Sequence, residues 1–390
     1  MKKRILIINH SLQQGGIVRS LIAAFHVIDP HKYDITLYVH RDQPELASLV
    51  PQNVRVVVNH DTHHYYRRPK AVFLQILKKL LMLLRAKDLT KKITDKLNRL
   101  IHNYKIKHPQ KDCFKKEHFD IVIAYSVDIC TEIALNIPAD RHYAFFHSSK
   151  IEFHRDMTER CFPQFDRIVA VSSGVEAVLN EGFPSLRDRT VCLSNFVDGE
   201  TLRALSQETN VYKDYTTGFR ICSCGRLSHE KGYDLAVEAA QILKNRNFDF
   251  VWYFVGDGSE RGNIENRILE LSLQDHIRIT GYLLNPYPYV GGCDLYVQPS
   301  YEEAQPLSVL EARVLGKAIV STDTVGGRTI LENGKKGILT PISAKGLADG
   351  IETLLTDPER RRSFENLYTQ EDNLREKQTY EAAWNRLLSE

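Results

Sequence analysis

Leu295-Tyr296-Val297-Gln298-Pro299-Ser300-Tyr301-Glu302-Glu303-Ala304-Gln305-Pro306-Leu307-Ser308-Val309-Leu310-Glu311-Ala312 is the stretch on which the fold turns. Residues 295–298 read as a short buried strand. A polar loop with two carboxylates follows, and Pro306 then stands where the first turn of a helix tolerates proline. Strand, loop and helix in that order are half of a βαβ unit. Unpaired N–H groups of residues 306–309 would point to the carboxyl end of the strand, where open α/β sheets bind ligands, and would suit a diphosphate. Glu311, one turn beyond Leu307, can face the same place and accept from a ribose diol. Glu303 can accept from sugar hydroxyls. The spacing equally fits a helix-capping Glu303 and a solvated Glu311.

The same alternation of apolar runs and helical patterns extends in both directions. One series of strand-like runs covers 4–9, 34–39, 54–58, 120–124, 142–146 and 167–171, and a second covers 191–193, 219–224, 250–255, 277–280, 295–298, 318–321 and 337–339. Amphipathic stretches lie between them, with Leu235, Ala239 and Leu243 at helical spacing. The fold class expected is α/β, with two Rossmann-like domains. Polar residues gather at 198–217, which reads as the linker. The domains are therefore drawn as 1–197 (with a basic insert at about 60–117) and 198–370, with a C-terminal helix in 371–390 that could pack back on the first domain. No repeat of 20–50 residues indicates a solenoid.

Composition agrees and excludes several classes. A chain of 390 residues holds about two domains of ordinary size, and 43% hydrophobic with 26% charged residues suits a folded globular protein. The longest apolar candidate, 71–84, is interrupted by Gln75, Lys78 and Lys79 and is too short to span a bilayer. Lys2-Lys3-Arg4 before Ile5-Leu6-Ile7-Ile8 imitates a signal peptide, but Asn9-His10 ends the run, so a buried first strand is expected. The seven cysteines are odd in number and lack a Cys-x-x-Cys pair, which suits buried thiols in a reducing cytoplasm.

The net charge of +3 conceals an asymmetry, because residues 67–116 hold sixteen Lys or Arg against three Asp. Phe73, Leu74, Leu77, Leu80, Leu81 and Leu84 recur there at helical spacing beside Lys78, Lys79, Arg85 and Lys87. A basic amphipathic helix suits an anionic membrane surface or a lipid-diphosphate, and also a core-facing helix with a solvated cationic face. Nucleic acid is disfavoured, since no binding motif or stacking platform accompanies the charge.

Further clusters stand at strand ends. Cys224-Gly225-Arg226-Leu227-Ser228-His229-Glu230-Lys231-Gly232 follows the 219–224 strand, and Arg226 and Lys231 suit a pyrophosphate, one as a planar fork and one as a point charge. Each is also an ordinary exposed loop cation. Val255-Gly256-Asp257-Gly258 is a glycine turn through which backbone can approach a base or ribose. Asn9-His10-Ser11-Leu12-Gln13-Gln14-Gly15-Gly16 is neither the dinucleotide fingerprint nor a phosphate loop with Gly-Lys-Ser/Thr, which weakens dehydrogenase and ATPase readings. His147 ends the 142–146 strand. His60-Asp61-Thr62-His63-His64 lacks ligand spacing, so no metal site is expected.

Taken in order, these clusters resemble the family-4 retaining glycosyltransferases of the GT-B fold, bacterial cell-surface polysaccharide type. The resemblance rests on Glu303 and Glu311 with Pro299-Ser300, Pro306-Leu307 and Gly316-Lys317, and on Gly225-Arg226, Glu230-Lys231-Gly232, Gly256-Asp257-Gly258, Gly281-Tyr282, Val171-Ser172, Asn195 with Asp198, Gly326-Gly327 and Gly15-Gly16. It implies that Arg226 and Lys231 neutralise a nucleotide diphosphate and that Glu311 holds the ribose. Glu303 would hold the donor sugar, and His147 would meet it from the first domain. Gly16, Gly225, Gly256, Tyr282, Ala304, Gln305, Pro306, Leu307 and Ser308 would line the nucleotide sugar. Ala304-Gln305 departs from the family's usual glycine and aromatic or leucine.

The implied reaction moves a hexose-type sugar from a UDP-sugar to a glycan or lipid-linked acceptor. It needs no metal or cofactor, and the departing phosphate oxygen serves as base. The implied place is the cytoplasm, peripheral on the inner face of the plasma membrane. Two rival readings are a sugar-nucleotide epimerase or hydrolase and a non-catalytic nucleotide-sugar-binding partner protein.

Overall fold

The computed structural model describes residues 2–13, 15–41, 43–59, 114, 117–152, 154–213, 215 and 217–390. The basic insert and the His60–His64 cluster lie outside them. Two compact units are formed, the first from 1–146, 152–169 and 185–191, the second from 147–151, 170–184 and 192–390. Residues 147–151, 170–184 and 192–197 thus group with the second unit, although the sequence reading places them in the first domain.

The first sheet and its helices run β1 (Lys3–Asn9), α1 (Gly16–Val27), β2 (Tyr33–Val39), β3 (Arg55–Val58), β4 (Phe119–Ala124), α2 (Ile129–Leu135), β5 (Ala139–Phe146), α3 (Arg155–Cys161), β6 (Arg167–Ala170), α4 (Ser173–Gly182) and β7 (Thr190–Cys192). Its strand order is β3-β2-β1-β4-β5-β6-β7. Strand β1 lies between β2 and β4, parallel to both, with Ile5 opposite Ile35 and Ile121. Ile5, Leu6, Ile7 and Ile8 are each fully buried, as expected where a parallel strand is covered on both faces. The run at 191–193 was expected to open the second series. It instead closes this first sheet as β7, because a three-residue strand carries no pattern that marks its sheet.

The second series runs α5 (Gly199–Ser206), β8 (Phe219–Cys224), α6 (Tyr233–Asn245), β9 (Phe250–Val255), α7 (Arg261–Glu270), β10 (Ile277–Gly281), α8 (Tyr287–Gly292), β11 (Leu295–Gln298), α9 (Leu307–Val314), β12 (Ala318–Thr322), α10 (Val325–Ile330), β13 (Ile338–Thr340), α11 (Ala344–Thr356), α12 (Pro358–Glu365) and α13 (Gln370–Ser389). Its strands order as β10-β9-β8-β11-β12-β13, parallel throughout. Alternate strand residues feed two cores. Ile221, Leu295, Val297 and Ala318 lie in one, and Cys222, Tyr296 and Ile319 in the other.

The expected linker is largely structured. Asp198 caps α5 by accepting from the Glu200 N–H at 3.1 Å. Helix α13 begins with a Thr369–Asp372 capping box. Its Asn373 bonds the Gly199 N–H at 2.9 Å and the Val197 carbonyl at 2.8 Å. Tyr380 packs on Phe196 with ring centroids 5.7 Å apart. The C-terminal helix therefore meets the end of the first domain as the sequence reading draws it, residues that belong to the second unit in the structure. Among the described residues no helix is long and apolar enough to cross a membrane.

Candidate active site

In the second sheet β8 and β11 are neighbours, and the strand order runs outward from them in opposite directions. Such a switch point, at the carboxyl ends of the strands, is where open α/β sheets place ligands. The loops that leave it, 225–232 and 299–306, carry most of the expected residues.

Backbone packing holds the first loop. The Gly225 N–H donates to Val255 O and the Leu227 N–H to Asp257 O, each at 3.0 Å. Gly256 has φ +154°, and a Cβ there would lie 1.9 Å from the Gly225 carbonyl oxygen. Gly256 therefore permits a close approach of its backbone to Gly225. Gly232 (φ +63°) ends a 3₁₀ turn, His229–Lys231, and its Cβ would lie 2.2 Å from Pro299 O. Only glycine lets the two loops touch there. Tyr301 N–H donates to Glu230 O at 2.9 Å, and the His229 and Tyr301 rings stack 5.2 Å apart.

That contact delivers Lys231 to Glu303, with Nζ 2.7 Å from Oε1. The same oxygen accepts from Ser300 Oγ at 2.8 Å and Gln298 Nε2 at 3.1 Å. Glu303 is 8% exposed and Gln298 3%. Gln298 Oε1 in turn accepts from Ser308 Oγ and Tyr296 Oη, both at 3.0 Å. A buried carboxylate so supplied with donors is fixed in place. Glu302 points elsewhere and ion-pairs with Lys150, so the two adjacent carboxylates of the loop have different partners.

The second loop is tied down residue by residue. Gly326 N–H donates to Glu303 O at 2.8 Å, and a Cβ on Gly326 would lie 2.6 Å from Pro306 Cδ. Ser172 Oγ donates to Ala304 O at 3.1 Å. The Gln305 side-chain oxygen accepts from the Asn195 N–H at 2.9 Å, which makes that side chain a brace for its loop. At α9 the expected row of open amides is shorter than 306–309. Proline has no N–H, and the Val309 and Leu310 amides both bond to Pro306 O. Leu307 and Ser308 supply the amides left at the helix start.

Glu311 is 5% exposed and accepts from Tyr287 Oη at 2.9 Å. Arg226 is exposed at the rim. Burial works to raise the neighbouring Glu230 carboxyl, but the Ser228 hydroxyl, its own backbone N–H, Lys231 and Arg226 outweigh it and hold the group below its usual range. Tyr282, 42% exposed, follows Gly281 at the end of β10. His147, half-buried, is the residue after β5 and groups with the second unit. Gly16 is the first residue of α1 in the first unit. Tyr287 and Lys150 are absent from the sequence reading, and Gln298, Ser300 and Ser172 enter it only inside quoted motifs, with no role of their own. Only the two polar residues in the 295–300 stretch, Gln298 and Ser300, carry a signal that could have marked them.

The first unit holds a grouping that the sequence does not reveal. His10, Asp128 and Cys130 place one donor atom each within 4.8 Å of one another.

Residues 207–369 match the family model for glycosyl transferases group 1. An alpha-D-kanosaminyltransferase of Streptomyces kanamyceticus is 34% identical over 146 residues, 36% of this chain and 38% of that protein. An N-acetylgalactosamine-N,N'-diacetylbacillosaminyl-diphospho-undecaprenol 4-alpha-N-acetylgalactosaminyltransferase of Campylobacter jejuni is 26% identical over 207 residues, 53% of this chain and 55% of that protein. The matched stretch thus spans between 38% and 55% of these curated relatives. Among solved structures, Anabaena Alr3699/HepE in complex with UDP and glucose superposes with TM-score 0.70 at 17% identity over 99% of each chain. WaaG, a glycosyltransferase involved in lipopolysaccharide biosynthesis, does so with TM-score 0.59 at 14% identity, covering 96% of this chain and 95% of that one. The chain has the two-domain GT-B fold of these structures, and its residues 207–369 match the glycosyl transferases group 1.

Proposed function

We propose that the protein is a metal-independent, retaining glycosyltransferase of family 4. It moves a hexose-type sugar from a UDP-sugar to a glycan or lipid-linked acceptor during cell-surface polysaccharide synthesis. The observation that carries this reading is the meeting of Lys231 and Glu303 at the β8/β11 switch point, next to Arg226 and the Leu307 and Ser308 amides. Cations and amides there can hold a diphosphate, while a fixed carboxylate accepts from sugar hydroxyls. Glu311, steadied by Tyr287, is placed to accept from a ribose diol.

In this reading the acceptor oxygen bonds to the anomeric carbon on the face the diphosphate leaves. The diphosphate departs with the bonding electron pair, and its oxygen takes the acceptor's proton. Arg226, Lys231 and the helix amides stabilise the charge that develops on it, and such electrostatic stabilisation is usually what contributes most to the rate in a site of this kind. In this reading these cations take the role a metal ion plays on a diphosphate. The structure of Alr3699/HepE with UDP-glucose supports the choice of donor class, and the diphospho-undecaprenol in the Campylobacter relative's name supports a lipid-linked acceptor.

The test is incubation of the full chain with a panel of labelled nucleotide sugars, with and without candidate acceptors and with EDTA. The anomeric configuration of the product is read by NMR. Acceptor-dependent, chelator-resistant transfer with retained configuration is expected. Release of free sugar alone, an epimerised nucleotide sugar, or binding without turnover each overturns the reading. The basic segment 67–116 is read as a peripheral membrane contact. The protein should co-sediment with phosphatidylglycerol vesicles but not with neutral ones, and about 0.5 M salt should release much of it. Equal binding to both, or none, contradicts that contact.

A further inference from the structure

The first sheet has its own switch point, between β1 and β4, since its order runs β3-β2-β1 on one side and β4-β5 on the other. The residues that leave these two strands meet. His10 follows β1 and Asp128 caps α2 after β4, and His10 Nδ1 lies 2.7 Å from Asp128 Oδ2. Asp128 also accepts from the Cys130 N–H at 2.8 Å. Burial works to raise its carboxyl, but the imidazole and that N–H hold it below its usual range. His10 Nδ1 is buried while 37% of the side chain remains exposed. A carboxylate 2.7 Å from Nδ1 favours the tautomer with its proton there, whose Nε2 is a hydrogen-bond acceptor.

Among the described residues His40, His154, Cys130 and Ser126 lie near this imidazole or its Asp128 partner, and the Arg41 N–H donates to the His10 carbonyl at 2.7 Å. His40, after β2, has its ring 5.9 Å from that of His10. His154, ahead of α3, is kept below its usual value by burial, with Asp128 opposing. Cys130 is a fully buried thiol pushed upward by burial and by Asp128. Ser126 is buried beside Asp128, with Oγ 3.4 Å from Oδ1. A fixed anion and a protonated thiol disfavour a phosphate or diphosphate. They suit a neutral, hydroxyl-bearing ligand.

We propose that His10, oriented by Asp128, binds a hydroxyl of the sugar acceptor at the β1/β4 switch point. This rests on the glycosyl-transfer reading. His10 is a positioning residue, with Nε2 accepting from the acceptor O–H and no proton transferred. The geometry and the ligand class can also be tested without turnover.

The full chain, labelled with [13C]histidine, is titrated without donor against methyl glucoside, methyl N-acetylglucosaminide and inorganic phosphate. The Cε1–H resonance of His10 is assigned from His10→Gln. A glycoside should shift that resonance, and Asp128→Asn should weaken the shift at least about fivefold. Absence of any shift with either glycoside, a shift with phosphate instead, or a stoichiometric metal ion in the purified protein that is lost in His10→Gln overturns the proposal.

Once a donor is found, His10→Gln should raise the acceptor KM about tenfold and leave the donor KM and acceptor-independent hydrolysis unchanged. An unchanged acceptor KM, or a donor KM raised by the same factor, overturns the proposal while transfer stands. A glycoside shift at His10 in a protein that transfers no sugar leaves the proposal standing and overturns the transfer reading.

Discussion

Lys231 Nζ stands 2.7 Å from Glu303 Oε1, so the cation expected to face a diphosphate is already paired with the carboxylate expected to face the sugar. The pair joins the two loops of the β8/β11 switch point. A diphosphate bound beside Lys231 would share its charge with Glu303, and Arg226 at the rim would supply the more exposed cation.

Removing Lys231 should therefore have two consequences. Among the described residues, Lys231→Ala leaves the 8%-exposed Glu303 with Ser300 and Gln298 as side-chain donors. Because the Lys231 side chain is 25% exposed, the stability loss should be about 1–3 kcal/mol, below that of a fully buried pair. Turnover should fall by about 10²–10³. Arg226→Ala should match the turnover loss with an unchanged melting temperature. Equal stability of the two variants would mean that the Lys231–Glu303 pair does not hold the loops.

Two glycines should separate packing from ligand approach. Gly256→Ala sets a Cβ 1.9 Å from a backbone oxygen at φ +154°, and should cost about 2–4 kcal/mol in urea unfolding. At Gly225 the nearest atom to a new Cβ is Tyr233 Oη at 3.5 Å, an ordinary contact, so Gly225→Ala should change stability by less than about 0.5 kcal/mol. If Gly225 admits the nucleotide, this variant should still weaken UDP binding. A destabilised Gly225→Ala would assign that glycine to packing as well.

Acid stability should report the Arg220–Asp294 fork. Burial works to raise the Asp294 carboxyl, but Arg220 holds it below the usual range through Nε at 2.9 Å, Nη2 at 2.6 Å and its backbone N–H at 2.9 Å. A lowered native value means the contribution is full above the unfolded aspartate value of about 3.9 and is lost as pH falls through the lower native one. With Arg220 36% exposed, Asp294→Asn should cost about 1–2 kcal/mol at pH 7 and 5, and the gap from wild type should narrow below about pH 4. A gap independent of pH would contradict this role.

Much of the fold was legible because parallel strands covered on both faces read as unbroken apolar runs. β8, β9 and β11 begin and end where those runs do. β7 was misassigned because Thr190–Cys192 is too short to show which sheet it joins. The expected row of amides at α9 was too long, since Pro306 has none to offer and its carbonyl takes that of Val309. Pairings such as Lys231–Glu303, 72 residues apart, arise where loops from non-consecutive strands become neighbours. The same holds for His10–Asp128, while Tyr287–Glu311 joins helices α8 and α9 on either side of β11; spacing along the chain carries no information about a partner on another element.

The most direct measurement is calorimetric titration of the full chain with UDP in EDTA, repeated on Arg226→Ala and Glu311→Ala. The switch-point site predicts saturable one-to-one binding without metal. Each substitution should weaken it about tenfold or more, or roughly 1.4 kcal/mol, with the fold intact by circular dichroism. Absence of UDP binding, or affinity unchanged in both folded variants, would contradict the placement of a nucleotide diphosphate between the loops of β8 and β11.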